Sequence, residues 1–374
     1  MEKPLNIFIV AGESSGDIYA SLLMEEMKLK RPNSRFIGIG GNRMTTAGLE
    51  KIIDISKISI LGFAEVFKNL KLFHLIFKKC ENIFETRSID LLICVDFPGF
   101  NLRLTKIAKK YKIPVCYYVA PQVWAWGKKR VKIIHNYVDL LLVVFPFEKD
   151  FFSKYVQNVE FVGHPILDLP VFKKPILKFE ERTDTIVLMP GSRKIEVMHH
   201  ISLISRLIET IKSYFSKFEI AIPVSNSDNE KILKDYLGDQ SKLVRFEYDS
   251  HNVLRSSKVG IIKSGTSNLE AALLGLPFVM FYKTSLPTYL IARGLINVEY
   301  ISIVNILLGG NYVPEYIQGL AKPEKILASV KTILENREVF QQMLDSFLRL
   351  RYILGESGGT KKAVENILKY FSFK

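Results

Sequence analysis

Lys263-Ser264-Gly265-Thr266-Ser267-Asn268-Leu269-Glu270-Ala271-Ala272-Leu273-Leu274-Gly275-Leu276-Pro277 follows the apolar run 259–262 and leads into a second apolar run at 278–282. Short apolar runs bounded by glycine and proline read as buried strands, and the Ala and Leu spacing at 269–274 reads as a helix with one buried face. The unit is strand, turn, helix, strand, the repeating piece of a doubly wound α/β fold. Its Ser264-Gly265-Thr266 turn places backbone N–H groups and two hydroxyls at the positive end of a helix dipole, a seat suited to a diphosphate. Glu270, one turn further on, is within reach of the hydroxyls of a ribose. An ordinary turn capped by Thr266 or Ser267 accounts for the same residues. The rest of the chain has to decide between the two.

Working outward, the run 185–189 ends in Pro190-Gly191-Ser192-Arg193 at the start of a long helix. Gly191, Ser192 and Arg193 offer N–H donors, a hydroxyl and a guanidinium fork for phosphate oxygens. Strands are expected at 219–223, 243–246, 259–262 and 278–282, and helices at 323–336, 339–351 and 359–370 close the chain. The first half repeats the architecture, with strands expected at 5–11, 36–41, 91–95, 115–119, 140–144 and 159–162. Between the halves, residues 170–183 are rich in Lys, Pro and Glu without periodicity and read as a linker. A chain of 374 residues that is 48% apolar has material for two domains, each with its own core.

In parallel α/β sheets ligands bind beyond the C-terminal ends of the strands. Gly12-Glu13-Ser14-Ser15-Gly16-Asp17 occupies such an end. Gly12 and Gly16 allow close approach of a substrate to the backbone, while Ser14, Ser15 and Asp17 bind it or cap the helix. The stretch lacks the G-x-G-x-x-G spacing, so no dinucleotide is expected. Asp96, after the run 91–95, is the general-base candidate, with a turn-forming role ahead of Pro98 as its rival. Trp124 and Trp126 stand beside Lys128, Lys129 and Arg130, a combination suited to a sugar face and a phosphate; Trp124 fits a core position equally. His164, before Pro165, reads as a structural hydrogen-bonder.

The helix at 67–79 carries apolar side chains on more than one face, flanked by lysines. Phe67, Leu70, Lys71, Phe73 and Lys78 are expected to meet lipid headgroups, with packing inside the domain as the rival reading. The net charge of +14 calls for an anionic partner. No nucleic-acid module or block of basic residues is visible, so nucleic acid is not expected. Cys80, Cys94 and Cys116 stand far apart, as buried reduced thiols of a cytosolic protein do. Residues 1–4 run straight into a strand, so no signal peptide is expected, and no apolar segment is long enough to span a bilayer.

The segments 10–17, 96–101, 121–126, 145–148, 163–165, 190–193 and 264–266 resemble, in this order, the bacterial lipid-A-disaccharide synthases. The resemblance runs from end to end and is most specific at Val10-Ala11-Gly12-Glu13-Ser14-Ser15-Gly16-Asp17 and Val123-Trp124-Ala125-Trp126. It implies an α/β fold of GT-B type: two Rossmann-like domains facing each other across a cleft, with a C-terminal helix returning to the first. The bounds are then 1–168 for an acceptor-binding domain, 169–183 for the linker, 184–350 for a UDP-sugar-binding domain and 351–374 for the returning helix. The implied reaction moves 2,3-diacylglucosamine from UDP to the 6-hydroxyl of 2,3-diacylglucosamine 1-phosphate (lipid X), with inversion, giving a β-1,6 disaccharide 1-phosphate and UDP.

On that resemblance Asp96 is the catalytic base. The donor is held by Gly191, Ser192, Arg193, Ser264, Gly265, Thr266, Glu270, Tyr282, Asn305 and Glu315; the acceptor is held by Gly12, Ser14, Ser15, Gly16, Asp17, Trp124 and Trp126. Some members carry a second aspartate where this chain has Gly99, so a mechanism needing two carboxylates there does not transfer. No metal or other cofactor is implied. A cytoplasmic enzyme peripherally attached to the inner membrane is expected, and a homodimer is allowed but not required. The alternatives are another GT-B UDP-sugar transferase, a UDP-sugar epimerase, for which His164 is the inviting histidine, and a non-catalytic phospholipid or nucleotide binder.

Overall fold

The computed structural model describes residues 4–373 apart from 56–69, 125–128, 192–193, 287–288, 291–292 and 294–298. The chain forms two compact units, Met1–Leu169 with Leu354–Lys374, and Pro170–Ile353.

The first unit is built on a parallel sheet of β1 (Asn6–Ala11), β2 (Arg35–Gly40), β3 (Leu49–Asp54), β4 (Leu91–Val95), β5 (Val115–Tyr118), β6 (Leu140–Val143) and β7 (Val159–Phe161), in the order β3-β2-β1-β4-β5-β6-β7. β1, β4, β5 and β6 are unbroken apolar runs because helices cover both faces of a parallel sheet. β3 was not expected from its sequence. As an edge strand it carries Glu50, Lys51 and Asp54 and is largely half-exposed, so the apolar signal is diluted.

The second unit has a parallel sheet of β8 (Thr183–Met189), β9 (Glu219–Pro223), β10 (Arg245–Glu247), β11 (Ser257–Lys263), β12 (Phe278–Tyr282) and β13 (Glu315–Ile317), in the order β10-β9-β8-β11-β12-β13. The edge strand β13, of three residues, is too short for a pattern and was also missed.

Both sheets reverse their strand order at one place, between β1 and β4 and between β8 and β11. Such a switch point opens a crevice at the carboxyl ends of the two strands. Ala11 pairs with Val95, and Met189 pairs with Ile262, so the turns leaving each pair start side by side. Four of the turns singled out in the sequence, those at Gly12, Asp96, Gly191 and Gly265, start at these crevices.

Residues 170–183 correct the linker expectation, since they pack into the second unit. Phe172 is buried, and the side chain of Ile176 lies over Gly275. The buried Arg182 guanidinium donates to the carbonyls of Leu177, Arg255, Ser257 and Gly275. Burial brings its pKa down to about 10. At the other end, the helix Gly359–Tyr370 belongs to the first unit. The Asp168 carboxylate accepts from the N–H of Gly358 and of Thr360 (2.7 Å) at its start, and Asn158 donates to the Tyr370 hydroxyl at its end (2.8 Å).

Candidate active site

In the first crevice, Asp96 and Phe97 follow β4 with φ of 47° and 49°, successive non-glycine residues in the left-handed region. That conformation is costly and persists only where the surroundings hold it. Here they do. The Asp96 carbonyl accepts from Asn101 Nδ2 (2.8 Å) and the Tyr117 hydroxyl (2.6 Å), and its N–H donates to the Tyr118 carbonyl (3.0 Å). Val119, after β5, has φ 61°, a further strained residue at the same sheet edge. The half-buried Asp96 side chain is therefore carried on a backbone fixed by part-buried hydrogen bonds.

Gly12 is needed for this arrangement. A Cβ there would stand 2.2 Å from the Phe97 ring, so the close approach expected of a substrate is made by the chain's own phenylalanine. Gly16 packs between Ala11 and the Val95 carbonyl. Ser14 is exposed and Ser15 half-buried at the helix start, where no side chain caps. Asp17 is a correction. It is buried, and its carboxylate accepts from the N–H of Gly41 (2.7 Å), Arg43 (3.1 Å) and Met44 (3.2 Å) at the start of the helix Asn42–Thr46. The residue is committed to that helix terminus, so it is not an acceptor ligand.

Trp124 is half-buried and donates through Nε1 to Oε1 of Glu148 (3.0 Å), with its ring edge-on to Phe147. Glu148 was quoted in the sequence but given no role. It is fully buried, and burial pushes its carboxyl up to about 7, against the N–H donors that favour the charged form. His164 is buried between the Tyr19 and Phe145 rings, and burial drives its pKa down to about 3, keeping it neutral. Its Nδ1 accepts from the Ile166 N–H (3.3 Å), the structural role expected of it.

In the second crevice, Gly191 (φ 121°) and Gly265 (φ 149°) take conformations that L side chains rarely adopt. A Cβ on Gly191 would meet the Glu196 carboxylate, and one on Gly265 would meet the Lys263 ammonium. Glu196 and Lys263 are themselves paired at 2.9 Å, so the two turns converge on one half-buried ion pair. Both residues were passed over in the sequence, where the signal was a lysine closing the apolar strand β11. Gly265 is the N-cap of the helix Thr266–Leu273, and no side chain caps it. Capping by Thr266 or Ser267 is thereby removed as an account of the turn. The His200 ring pairs through Nδ1 with the Pro190 carbonyl (2.6 Å) and through Nε2 with the main chain of Lys283 (carbonyl oxygen 2.9 Å, N–H 3.2 Å), tying this turn to the end of β12 beside Tyr282. Burial lowers its pKa.

Glu270 lies 3.4 Å from His251 Nε2 and is half-buried. Asn305 and Glu315 require correction. Asn305 is fully buried, donating to the Val313 carbonyl (2.8 Å) and Glu315 (2.9 Å) while accepting from the N–H of Tyr312 (2.9 Å) and Val313 (2.8 Å). Glu315 also accepts from the N–H of Ile301 and Ser302, both at 2.9 Å. These two side chains hold each other and their loops, so neither is placed as a donor ligand. Ser192, Arg193 and Trp126 lie outside the described residues.

The helix Leu70–Thr86 contains most of the expected membrane contact, while Phe67 lies outside the described residues. Lys71 and Lys78 are exposed, as are Leu72 and Leu75. Phe73 is buried against Phe100, 6.3 Å between ring centroids, and so belongs to the core. The helix has an inner face, and the expectation that Phe73 touches lipid is corrected by it.

The sequence model of the lipid-A-disaccharide synthetase family matches residues 7–362. The lipid-A-disaccharide synthase of Syntrophus aciditrophicus is 34% identical over 367 residues, covering 96% of this chain and 95% of that protein. That of Nitrosococcus oceani is 36% identical over 356 residues, covering 93% and 92%. Among solved structures, S. aureus MnaA with UDP has a TM-score of 0.67 at 13% identity, covering 100% of this chain and 98% of that one. The calicheamicin glycosyltransferase CalG4 has a TM-score of 0.63 at 15% identity, covering 99% of each. The structural likenesses establish the fold, GT-B, and the sequence matches go further: this chain belongs to the lipid-A-disaccharide synthase family of glycosyltransferases.

Proposed function

We propose that the chain transfers 2,3-diacylglucosamine from UDP to the 6-hydroxyl of 2,3-diacylglucosamine 1-phosphate, with the first unit supplying the base and the second seating UDP. The observation that carries this reading is Asp96, held in a strained backbone at the switch point between β1 and β4 by Asn101 and Tyr117. Its carboxylate takes the proton of the acceptor 6-hydroxyl as that oxygen attacks C1 of the donor sugar. The bond from C1 to the UDP oxygen breaks on the opposite face, which gives the β configuration. Negative charge then grows on the departing diphosphate, where the open N–H groups at Gly265 and Thr266, the turn at Gly191 and the Arg193 guanidinium oppose it. Glu270 and Tyr282 complete the donor site at the ribose and the sugar. Ser14, Ser15 and Trp124 are assigned to the acceptor, and the resemblance adds Trp126.

Both substrates are acylated, and lateral attachment to the inner leaflet follows from that. Lys71, Leu72, Leu75 and Lys78 on the outer face of the helix Leu70–Thr86 support it. No helix among the described residues is long and apolar enough to cross a membrane. An epimerase acting on a UDP-sugar shares the fold, but the only support for it is structural likeness at identities near 13–15%. Incubation with the UDP-sugar alone, then with acceptor added, tests the reading. UDP release that requires both substrates, with appearance of the disaccharide, supports transfer; turnover of the UDP-sugar alone contradicts it.

A further inference from the structure

We propose that Glu148 is a positioning residue for the transfer: its buried carboxylate fixes the Trp124 indole and thereby sets the loop after β5 beside Asp96. The inference rests on the reading of Asp96 as the base. Oε1 of Glu148 accepts from Trp124 Nε1 (3.0 Å), and Oε2 accepts from the N–H of Phe145 (3.1 Å) and Val144 (3.3 Å). All these partners are donors. A carboxylate satisfies them all, whereas an amide must turn its NH2 toward at least one of them. A glutamate at the third position of a helix commonly reaches back to the first N–H, which accounts for the Phe145 bond in the helix Pro146–Phe152. It accounts for neither the full burial nor the bond to Trp124.

The strand that leads into this loop is wired to the base. The Tyr117 hydroxyl donates to the Asp96 carbonyl, the Asp96 N–H donates to the Tyr118 carbonyl, and Val119 then turns the chain in a left-handed conformation. Glu148 holds the far side of this loop at Trp124, whose ring is also pinned edge-on by Phe147 at 4.9 Å. The charge of Asp96 reaches Glu148 and raises its pKa. Of the other titratable groups around it, Tyr117 and Tyr118 are held protonated by burial, and His164 beyond Phe145 is held neutral. Among the described residues, the charge that acts on Glu148 is that of Asp96, and the half-buried Arg130 acts on Tyr117. With a pKa near 7, Glu148 takes up a proton as pH falls and can then no longer accept from all three N–H groups, which gives the wild type an acid limb that Glu148→Gln lacks.

The test compares Glu148→Gln, Trp124→Phe and Asp96→Asn with the wild type in steady-state kinetics across pH, with circular dichroism as the check on folding. For Glu148→Gln the expected result is a kcat reduced on the order of 10–100-fold, as loss of positioning gives. UDP affinity should stay within about 2-fold, and the acid limb of kcat/KM should move to lower pH. Trp124→Phe keeps the carboxylate and should lose rate with the limb unmoved. Wild-type kcat in a folded Glu148→Gln overturns the proposal, and so does a rate loss with an unmoved limb, which leaves Glu148 a structural part alone. If Glu148→Gln does not fold, Trp124→Phe decides: full turnover overturns the proposal and a loss on the order of 10-fold supports it. Asp96→Asn separates the two readings. Full turnover there removes the base itself, while a dead Asp96→Asn beside a normal Glu148→Gln removes only the inference.

Discussion

Replacing Gly12 with alanine adds one methyl group, and the structure says where it goes. The new Cβ would stand 2.2, 2.3 and 2.6 Å from three atoms of the Phe97 ring. Ordinary carbon contacts are about 3.5–4.0 Å, so the ring must retreat by more than about 1 Å. Phe100 stacks on it at 5.9 Å between centroids and is itself fully buried, which limits the retreat. The displacement therefore passes to the backbone of Phe97 and Asp96, both already left-handed. Overpacking of this kind costs about 1–3 kcal/mol of stability. A shift of about 1 Å at the base costs on the order of 100-fold in rate. Disaccharide formation measured under saturating donor and acceptor should fall by that factor, while UDP affinity, proposed above for the second unit, stays unchanged. A folded Gly12→Ala with wild-type kcat would refute the coupling between this glycine, Phe97 and the base.

Other perturbations separate site from scaffold. Lys263→Met removes the ammonium that Glu196 pairs with between the two phosphate turns; UDP affinity measured by calorimetry should weaken on the order of 10-fold, and equal affinity would exclude the pair from the donor seat. Asn305→Ala breaks four hydrogen bonds, two of them buried, and should cost about 3 kcal/mol in denaturant unfolding, with little change in UDP affinity below the melting transition. For His164 the folded pKa of about 3 lies below the ordinary 6.5, so the unfolded chain binds more protons between those values and stability is lost as pH falls. His164→Asn keeps an acceptor for Ile166 without the charge. Its melting temperature should gain on the wild type progressively as pH drops from about 6.5 toward 4, and parallel curves would contradict the burial of a neutral ring.

How much of this was legible in the sequence depends on how far away each residue's partner lies. Central strands such as β1, β4 and β11 declare themselves, because burial on both faces demands apolar runs, here from Ile7, Leu91 and Val259 onward. The turns at Gly12, Asp96, Gly191 and Gly265 were legible for the same reason, as breaks at the ends of those runs. The edge strands β3 and β13 lack the signal, being half in water or only three residues long. Side chains whose partners are distant were misread. Asp17 looks like a cap for its own helix, but its partners are the N–H groups of 41–44. Residues 170–183 have the composition of a linker, yet Arg182 anchors them to carbonyls as far on as Gly275. Glu148 reads as a first-turn helix acid, and only the fold brings Trp124 onto it. Asn305 and Glu315 were carried to the donor from loosely matched segments of the resemblance, and polarity near a site looks the same whether it faces a ligand or its own loop.

Asp96 carries the proposed transfer most directly, and a single-turnover measurement of glycosyl transfer by the Asp96→Asn variant tests its role. With UDP affinity and folding matched to the wild type, the rate of disaccharide formation should fall by roughly two or more orders of magnitude. Transfer at the wild-type rate would show that the proton of the acceptor hydroxyl goes elsewhere.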